Sequence, residues 1–286
     1  MRINHNLPAL NAYRNLAQNQ IGTSKILERL SSGYRINRAS DDAAGLAISE
    51  KMRGQIRGLE QGQRNTMDGV SLIQTAEGAL QEIHEMLQRM RELAVQAANG
   101  TYSDKDKKAI KDEINQLTAQ IDQIAKTTEF NGIQLIGDSD STSLQDVKIQ
   151  YGPKKEDSLT LELTTQPEAD PPFAAGCKAD KASLQIDNVD VISDPEGAIE
   201  TFKAAIDQVS RIRSYFGAIQ NRLEHVVNNL SNYTENLTGA ESRIRDADMA
   251  KEMTEFTRFN IINQSATAML AQANQLPQGV LQLLKG

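Results

Sequence analysis

The chain has little of what compact enzymes and disulfide-bonded domains are built from. It contains no Trp, and aromatic residues make up only 4% of its 286 residues, which is typical of helical bundles and coiled coils. Cys177 is its single cysteine, so no intrachain disulfide can form. Cysteine usage therefore does not indicate whether the protein works in an oxidising or a reducing compartment. The net charge of −7 disfavours nucleic acid as a partner, because nucleic-acid affinity rests on neutralising phosphates.

Motifs for catalysis and metal binding are also missing. The pair His84-Glu85 has Gln88 where the helix of a zinc peptidase needs a second histidine, and the other histidines are scattered. Asp41 and Asp42 could be an acid–base pair, but capping of a helix explains them better. No Gly-rich loop leads from a strand into a helix. We therefore predict that the protein is not an enzyme and that it has no catalytic residues, metal or cofactor.

Charge is missing from both ends of the chain. Residues 259–284 carry no charged side chain, and Arg14 is the only full charge in residues 3–24. The apolar residues there keep helical spacing, whereas the opposite face is Asn, Gln, Ser, Thr and Ala, which fits helices packed on several sides. The residues predicted to drive self-assembly are Leu7, Leu10, Leu16, Ile21, Leu27, Leu30, Met253, Phe256, Phe259, Ile262, Met269, Leu276, Val280 and Leu283.

The uncharged ends of the chain bear on its targeting. An uncharged stretch longer than about 18 residues raises the alternative of a membrane span. Residues 259–284 hold eight Asn and Gln side chains, each of which would need a partner in hydrocarbon, so we predict no span. Arg2 is followed by residues 3–8 without an apolar core or a small-residue cleavage site. We therefore expect no cleaved signal peptide, and export, if any, by another route.

Hydrophobic periodicity predicts long helices in the first half of the chain. Turn-forming residues 31–38 follow the first helix, and Ser40 is expected to cap the second. Six glycines between Gly45 and Gly78 predict a weak or interrupted start of that second helix, which should end at Gly100. Ser103 should open a third helix, which closes before an Asn-Gly turn at 131–132.

In the centre the apolar period changes to two. It predicts strands at 147–151 and 159–163, and further short strands at 184–186 and 189–191. Asp194-Pro195 is a strong helix start, and the helix should run to about Leu237, where Gly239 interrupts it before the terminal helix. The predicted fold class is mainly α: a long antiparallel coiled-coil or helical bundle formed by the two chain ends, with a small β-hairpin-rich central region.

Six segments resemble the signatures of a known family, bacterial flagellin. The match covers roughly the first 137 and the last 90 residues, and the centre matches nothing that we can name. The similar segments are Ser31 to Asn37, Asp41 to Gly45, Gln88 to Gln96 and Phe130-Asn131-Gly132 near the start, and Glu241 to Ala250 and Gln272 to Gln275 near the end.

This resemblance implies a structural subunit of the flagellar filament that serves motility. It implies an inner coiled-coil assembly domain of residues 1–42 plus 243–286, a helical rod domain of 43–143 plus 194–242, and a small β region at 144–193. It also implies an extracellular location after type III export. The implied partners are other copies of the chain, an export chaperone on the C-terminal helix, and the filament cap and hook-junction proteins.

The resemblance further implies a recognition site for the Toll-like receptor that senses flagellin, at Gln88, Arg89, Leu93 and Glu113. The plainer interpretation is that these residues pack subunits together, with Arg89 and Glu113 in charge pairs. The two interpretations are compatible, since a receptor could recognise a surface that is hidden in the polymer.

Two alternatives stay open at this point. A hook–filament junction protein shares the end helices, and a secreted adhesin or innate-immune ligand could have a secondary filament role. Because uncharged apolar end helices cannot bury their stripes within one monomer, we expect residues of about 1–40 and 243–286 to be disordered in the monomer and to fold on polymerisation.

Overall fold

The computed structural model describes residues 6–137, 146–161, 163, 177–187 and 189–283, with side chains described as far as Gln275. These residues confirm a mainly helical chain with two small antiparallel hairpins. Its elements are α1 (Leu7–Ser32), α2 (Ala43–Ala98), α3 (Asp104–Thr127), β1 (Glu129–Phe130), β2 (Ile133–Gln134), β3 (Val147–Gln150), β4 (Ser158–Leu161), α4 (Pro195–Arg245) and α5 (Met249–Leu283).

The chain divides into two compact units. Unit 1 combines residues 1–56 and 235–286, so it holds α1 and α5 and confirms that the terminal helices pack together. Unit 2 comprises residues 57–234 and holds α3 and both hairpins. The finer division into coiled-coil, rod and β regions stays a prediction.

The hydrophobic core of unit 2 follows the 3.6-residue period of its helices. Apolar residues recur every three or four positions along α2, α3 and α4, so each helix presents one buried face to the others. Fully or almost fully buried members are Ile73, Leu80, Ile83, Leu87, Met90 and Leu93 on α2, Ile114 and Ile121 on α3, and Phe202, Val209, Ile212, Phe216 and Leu223 on α4.

Helix α2 differs from its prediction in two ways. Its cap is Asp42 rather than Ser40, because the Gly45 amide donates to Asp42 Oδ1 at 2.9 Å and the helix begins at Ala43. It is also continuous through all six glycines, so the predicted interruption is wrong. Glycine weakens an isolated helix, but here the hairpin of β3 and β4 packs on Gly62 and Gly69, and those contacts stabilise it.

Helices α3 and α4 begin where the sequence predicts. Ser103 and Asp106 form a reciprocal capping box at the start of α3. Asp194 Oδ1 accepts from the Gly197 amide at 3.0 Å, with Pro195 as the first residue of α4. The predicted break at Gly239 is wrong, because α4 continues to Arg245. One glycine costs a helix about 1 kcal/mol, which a long packed helix can absorb.

The second hairpin confirms the strands predicted at 147–151 and 159–163, whereas the first hairpin was predicted only as an Asn-Gly turn. Positive φ angles at Asn131 (52°) and Gly132 (78°) form the tight turn between β1 and β2. In the second hairpin β3 pairs with β4 in an antiparallel register. No strand forms at 184–186, because Gln185 lies in a turn with a positive φ of 57° and cannot continue a strand. Residues 189–191 form no strand either. The alternating apolar residues of both segments pack into the core without strands.

Candidate assembly surface

Helices α1 and α5 form an antiparallel pair in unit 1. Near one end, Asn6 Nδ2 donates to the Ala273 carbonyl at 2.8 Å. At the other end, Arg29 Nη1 lies 3.3 Å from Glu252 Oε1. Residue numbers therefore rise along α1 as they fall along α5, and Cα atoms of the two helices approach within 8 Å.

Half-buried and buried residues form the contact between the two helices, which we call the seam. They recur in alternating steps of three and four residues, the seven-residue repeat of a coiled coil. The seam consists of Ala9, Ala12, Leu16, Asn19, Thr23, Ile26 and Leu30 on α1, and Glu252, Phe256, Phe259, Asn263, Ala266, Leu270 and Ala273 on α5.

Small residues let the two backbones come close. A Cβ added at Gly22 would lie 2.7 Å from the ring of Phe259, so the absence of a side chain there makes room for the aromatic ring. Alanines at four seam positions have the same effect along the rest of the pair. The packing therefore needs small residues as much as large ones.

Large apolar side chains remain exposed on the other faces, and we call them the outer apolar residues. Leu10 is 64% exposed, Ile21 63% and Met269 64%. A set of such residues along the same helices marks an interaction surface, which single scattered ones would not. The full set in the described part of α1 and α5 is Leu7, Leu10, Tyr13, Ile21, Leu27, Met249, Met253, Ile261, Ile262 and Met269.

The predicted self-assembly residues thus fall into two groups. Four belong to the seam: Leu16, Leu30, Phe256 and Phe259. Seven are outer apolar residues: Leu7, Leu10, Ile21, Leu27, Met253, Ile262 and Met269. Leu276, Val280 and Leu283 lie in the helical backbone of α5, but their side chains are outside the described ones.

Three of the outer apolar residues are not among the predicted self-assembly residues: Tyr13, Met249 and Ile261. Tyr13 is 62% exposed and Ile261 59%. Tyr13 lies 14 residues before Leu27. That separation is two heptads, so the two residues share one face of α1. A search for a strict period of seven would have found Tyr13.

The loops after α1 and after α4 hold the ends of the helices in unit 1 together. Tyr34 and Asp246 form an antiparallel bridge, and the Arg35 amide donates to the Arg245 carbonyl at 2.7 Å. The Arg245 guanidinium lies 4.9 Å from the centre of the Tyr34 ring and donates to Glu50 Oε1 at 2.7 Å. That hydrogen bond, followed by the charge of nearby Arg53, lowers the pKa of Glu50 below its ordinary value.

The four residues predicted for receptor recognition lie in unit 2 in two environments. Leu93 is 2% exposed and belongs to the hydrophobic core. Gln88, Arg89 and Glu113 are exposed. Arg89 donates from Nε and Nη2 to Glu113 Oε1 at 3.1 and 3.0 Å, and this bonding raises the pKa of Arg89. The predicted charge pair thus forms within one chain.

The described residues form neither a metal-binding cluster nor a membrane span. They contain no group of three or more His, Cys, Asp or Glu side chains that could hold a metal ion. None of the described helices combines the length and the apolar character that crossing a membrane requires. Burial raises the pKa of the Cys177 thiol to about 12.

Comparison with known proteins identifies the family. Residues 3–141 match the bacterial flagellin N-terminal helical region, and residues 199–284 match the bacterial flagellin C-terminal helical region. The chain is 53% identical to flagellin of Halalkalibacterium halodurans over 285 residues, which cover all of both chains. It is 45% identical to the flagellar filament 33 kDa core protein of Treponema phagedenis, again over the full length of both.

A solved structure shares the fold. It is described as a flagellar hook-associated protein of Vibrio parahaemolyticus and matches 72% of this chain and 100% of its own, with a TM-score of 0.56 and 13% identity. At that identity the similarity concerns the fold alone. The two terminal matches and the full-length relatives are decisive: the chain belongs to the bacterial flagellin family.

Proposed function

We propose that this chain builds a bacterial flagellar filament by packing the outer apolar residues of α1 and α5 against other copies of itself. As a flagellin it is a structural subunit of that filament. The observation that carries the proposal is the exposure of large side chains such as Leu10 and Ile21 on a stretch of helix, residues 7–24, whose only charged side chain is Arg14. Its role is structural rather than enzymatic.

The energy available from these residues is large. Burying one Leu or Ile fully is worth about 1.5–3 kcal/mol. Several such side chains on each subunit can therefore exceed the entropy that association costs, which is about 4–15 kcal/mol. A subunit that presents them on two adjacent helices can bind neighbours on more than one side, which a polymer requires.

The same exposure predicts how the isolated subunit behaves. We expect α1 and α5 to be unfolded in the monomer, because their seam alone buries few large apolar residues, and to fold when other copies cover the outer apolar residues. Circular dichroism of dissociated subunits tests this. Full helicity of both terminal helices at micromolar concentration would contradict it.

Removal of the ends tests the assembly role. A fragment trimmed by about 40 residues at either end keeps unit 2, and we expect it to stay soluble and helical without polymerising. Electron microscopy after salt seeding of the full chain should show long uniform tubes, and none for the fragments. Long filaments from a trimmed fragment would refute the proposal.

The finer partners and the export route belong to the same proposal. We expect an extracellular flagellar location reached without a cleaved signal peptide, with an export chaperone on α5 and with the filament cap and hook-junction proteins at assembly. Apolar helices exposed before assembly need protection from aggregation, which supports a chaperone on the C-terminal helix. A pull-down that uses the full chain as bait, compared with the chain lacking α5, would test whether an export chaperone binds this helix.

Receptor recognition is a second candidate role, at Gln88, Arg89 and Glu113. Their exposure in a single subunit supports it, since a receptor could reach them. Leu93 would act there only by supporting the helix, because it is buried. Arg89→Ala in a reporter assay separates the roles, with exposed Arg91→Ala as control. Lost signalling with normal assembly favours the receptor role, whereas lost assembly favours packing.

The alternatives of a junction protein or of an adhesin are less well supported. The relatives that match over their full length are named as flagellin or filament core proteins. Purified subunits that form only short caps or rings would favour a junction protein, and failure to polymerise at all would favour the adhesin.

A further inference from the structure

The seam of α1 is less apolar than the surface it leaves exposed. Only three of its seven positions hold large aliphatic residues, namely Leu16, Ile26 and Leu30. The exposed positions of α1 include Leu7, Leu10, Tyr13, Ile21 and Leu27. Hydrophobicity alone would turn that richer surface toward α5, so other contacts must decide which face of α1 pairs with it.

The first such contact is a directional hydrogen-bond chain between Thr23 and Asn263. Thr23 Oγ1 donates its only proton to the Asn19 carbonyl at 2.9 Å. The oxygen can therefore only accept from α5, and it accepts from Asn263 Nδ2 at 2.9 Å. Asn263 Oδ1 is buried without a partner among the described residues. Loss of its one bond to α1 would leave the whole amide unsatisfied.

The second contact is steric, and the third is ionic. Gly22 makes room for the ring of Phe259, which a side chain at that position would displace. Arg29 pairs with Glu252, whose side chain is only 9% exposed. A carboxylate so nearly buried needs a cation beside it. Each of these contacts, like the hydrogen bond, depends on one particular residue of α1 facing one particular residue of α5.

These three register contacts all reject a slip by one heptad, the shift that a coiled coil most easily makes. A slip would place Asn263 opposite Leu16 or Leu30, where an amide has no partner. It would place Phe259 opposite Asn15 or Arg29 instead of Gly22. It would also separate Glu252 from Arg29. Apolar seam residues, by contrast, would still meet apolar residues.

We propose that Thr23–Asn263, Gly22–Phe259 and Arg29–Glu252 select the face and the register in which α1 pairs with α5, and so keep the more apolar side of α1 free for other copies of the chain. The last clause rests on the proposed function, whereas the selection of face and register does not. The three contacts specify the pairing, and the outer apolar residues supply the binding energy for assembly.

Cysteine pairs placed away from the register contacts can report the register in the full chain. On a Cys177→Ala background, Asn6→Cys with Ala273→Cys reports the native register, because Asn6 reaches Ala273. Asn6→Cys with Ala266→Cys, and Tyr13→Cys with Ala273→Cys, report slips by one heptad in the two directions. Oxidation under assembly conditions gives a shifted monomer band for a link within one chain and a dimer for a link between chains.

With the native seam, the yield of the native disulfide should exceed the yield of either slipped disulfide by at least about tenfold. A slip that leaves one buried polar group unpaired costs enough free energy for that ratio. In Thr23→Val with Asn263→Leu, the slipped links should rise several-fold relative to the native link, since one of the three register contacts is lost and apolar seams specify register poorly. Gly22→Ala should raise them too. Thr267→Val with Asn274→Leu, at exposed positions of α5, adds the same apolar groups and should leave the pattern unchanged.

Helicity measured on each variant shows whether the helices still form. Slipped links that stay rare in a helical Thr23→Val, Asn263→Leu variant would overturn the inference, as would equal links, or none, in the native seam. Filament formation is scored separately by electron microscopy. A native link without filaments contradicts only the proposed assembly, and filaments with mixed links contradict only the register selection.

Discussion

The carbonyl oxygen of Tyr151 lies so close to Gly62 that a Cβ added to the glycine would be 2.1 Å from it. Three residues further along α2, Asn65 Nδ2 donates to the Gln150 carbonyl at 2.9 Å. The hairpin of β3 and β4 thus packs directly against the backbone of α2, which is possible because Gly62 has no side chain. Glycines lower the helix propensity of α2, but they also allow the hairpin to pack closely against it.

The first prediction concerns this contact. Gly62→Ala should destabilise unit 2 by about 1–3 kcal/mol, because the hairpin must move to admit the methyl group. Gly78→Ala is the matched control on the same helix, since a Cβ there meets nothing within 4 Å. It should stabilise by about 0.5–1 kcal/mol through helix propensity. Urea unfolding followed by circular dichroism measures both, and equal effects of the two changes would contradict the packing described.

The second prediction concerns acid. Bonding to Arg245 lowers the pKa of Glu50 below its ordinary value of 4.5. A lowered carboxylate pKa stabilises the folded chain above the ordinary value, and the contribution is lost as the pH falls through the lowered pKa. Glu50→Gln should therefore be less stable than the parent at neutral pH, and the difference should shrink below pH 4.5.

Unfolding midpoints of the two proteins in polymerised samples, where Arg245 is expected to be folded, measured from neutral pH into acid, test this. Glu60→Gln, at an exposed position of α2, is the control and should follow the parent throughout. A gap between Glu50→Gln and the parent that stays constant with pH would mean that the ion pair does not contribute.

The third prediction compares the effect on stability of a buried and an exposed residue of α2. Leu93→Ala should cost unit 2 about 2–5 kcal/mol, because it leaves a cavity in the core. Val95 is 54% exposed, so Val95→Ala should change stability by less than about 0.5 kcal/mol. Thermal unfolding compares them. Wild-type stability in Leu93→Ala would show that the core is not packed as described.

The fourth prediction concerns assembly. Leu10→Gln and Ile21→Gln remove apolar surface outside the seam, and glutamine keeps helix propensity close to that of leucine. Each should raise the critical concentration for polymerisation by about tenfold, if about 1.5 kcal/mol of burial is lost. Leu10→Met keeps the volume and should polymerise normally. Sedimentation of polymer from soluble subunits gives the critical concentration, and unchanged values for both Gln variants would argue against the outer apolar residues.

Much of the fold follows from short-range signals in the sequence. The capping box at Ser103, the Asp194-Pro195 start of α4 and the Asn-Gly turn at 131–132 lie where the sequence predicts, because each is decided by neighbouring residues. The cap of α2 was placed at Ser40 rather than Asp42 because several capping residues stand in a row there. Only the folded chain selects one of them.

The errors arose where distant contacts decide the structure. Glycine alone argues for a break at Gly62 or Gly239, and sequence cannot show that a hairpin or a long packed helix compensates. Alternating burial at Leu184 and Ile186 resembles a strand, yet local turns with a positive φ at Gln185 bury the same side chains.

The candidate site shows the same limit. Spacing by threes and fours placed Leu16 and Leu10 in one stripe, although Leu16 faces α5 and Leu10 faces away. A helix that is apolar on two sides gives one broad signal. Only the partner helix, with polar and small residues at matching positions such as Asn263, distinguishes the two faces.

A reconstruction of the polymer at side-chain resolution tests the central claim most directly. The account predicts that Leu10, Ile21 and Met269 lie against neighbouring subunits and lose most of their exposure, while Leu16 and Phe259 keep their contacts within one chain. Filaments in which α1 and α5 point into solvent, with subunits joined through unit 2 alone, would contradict it.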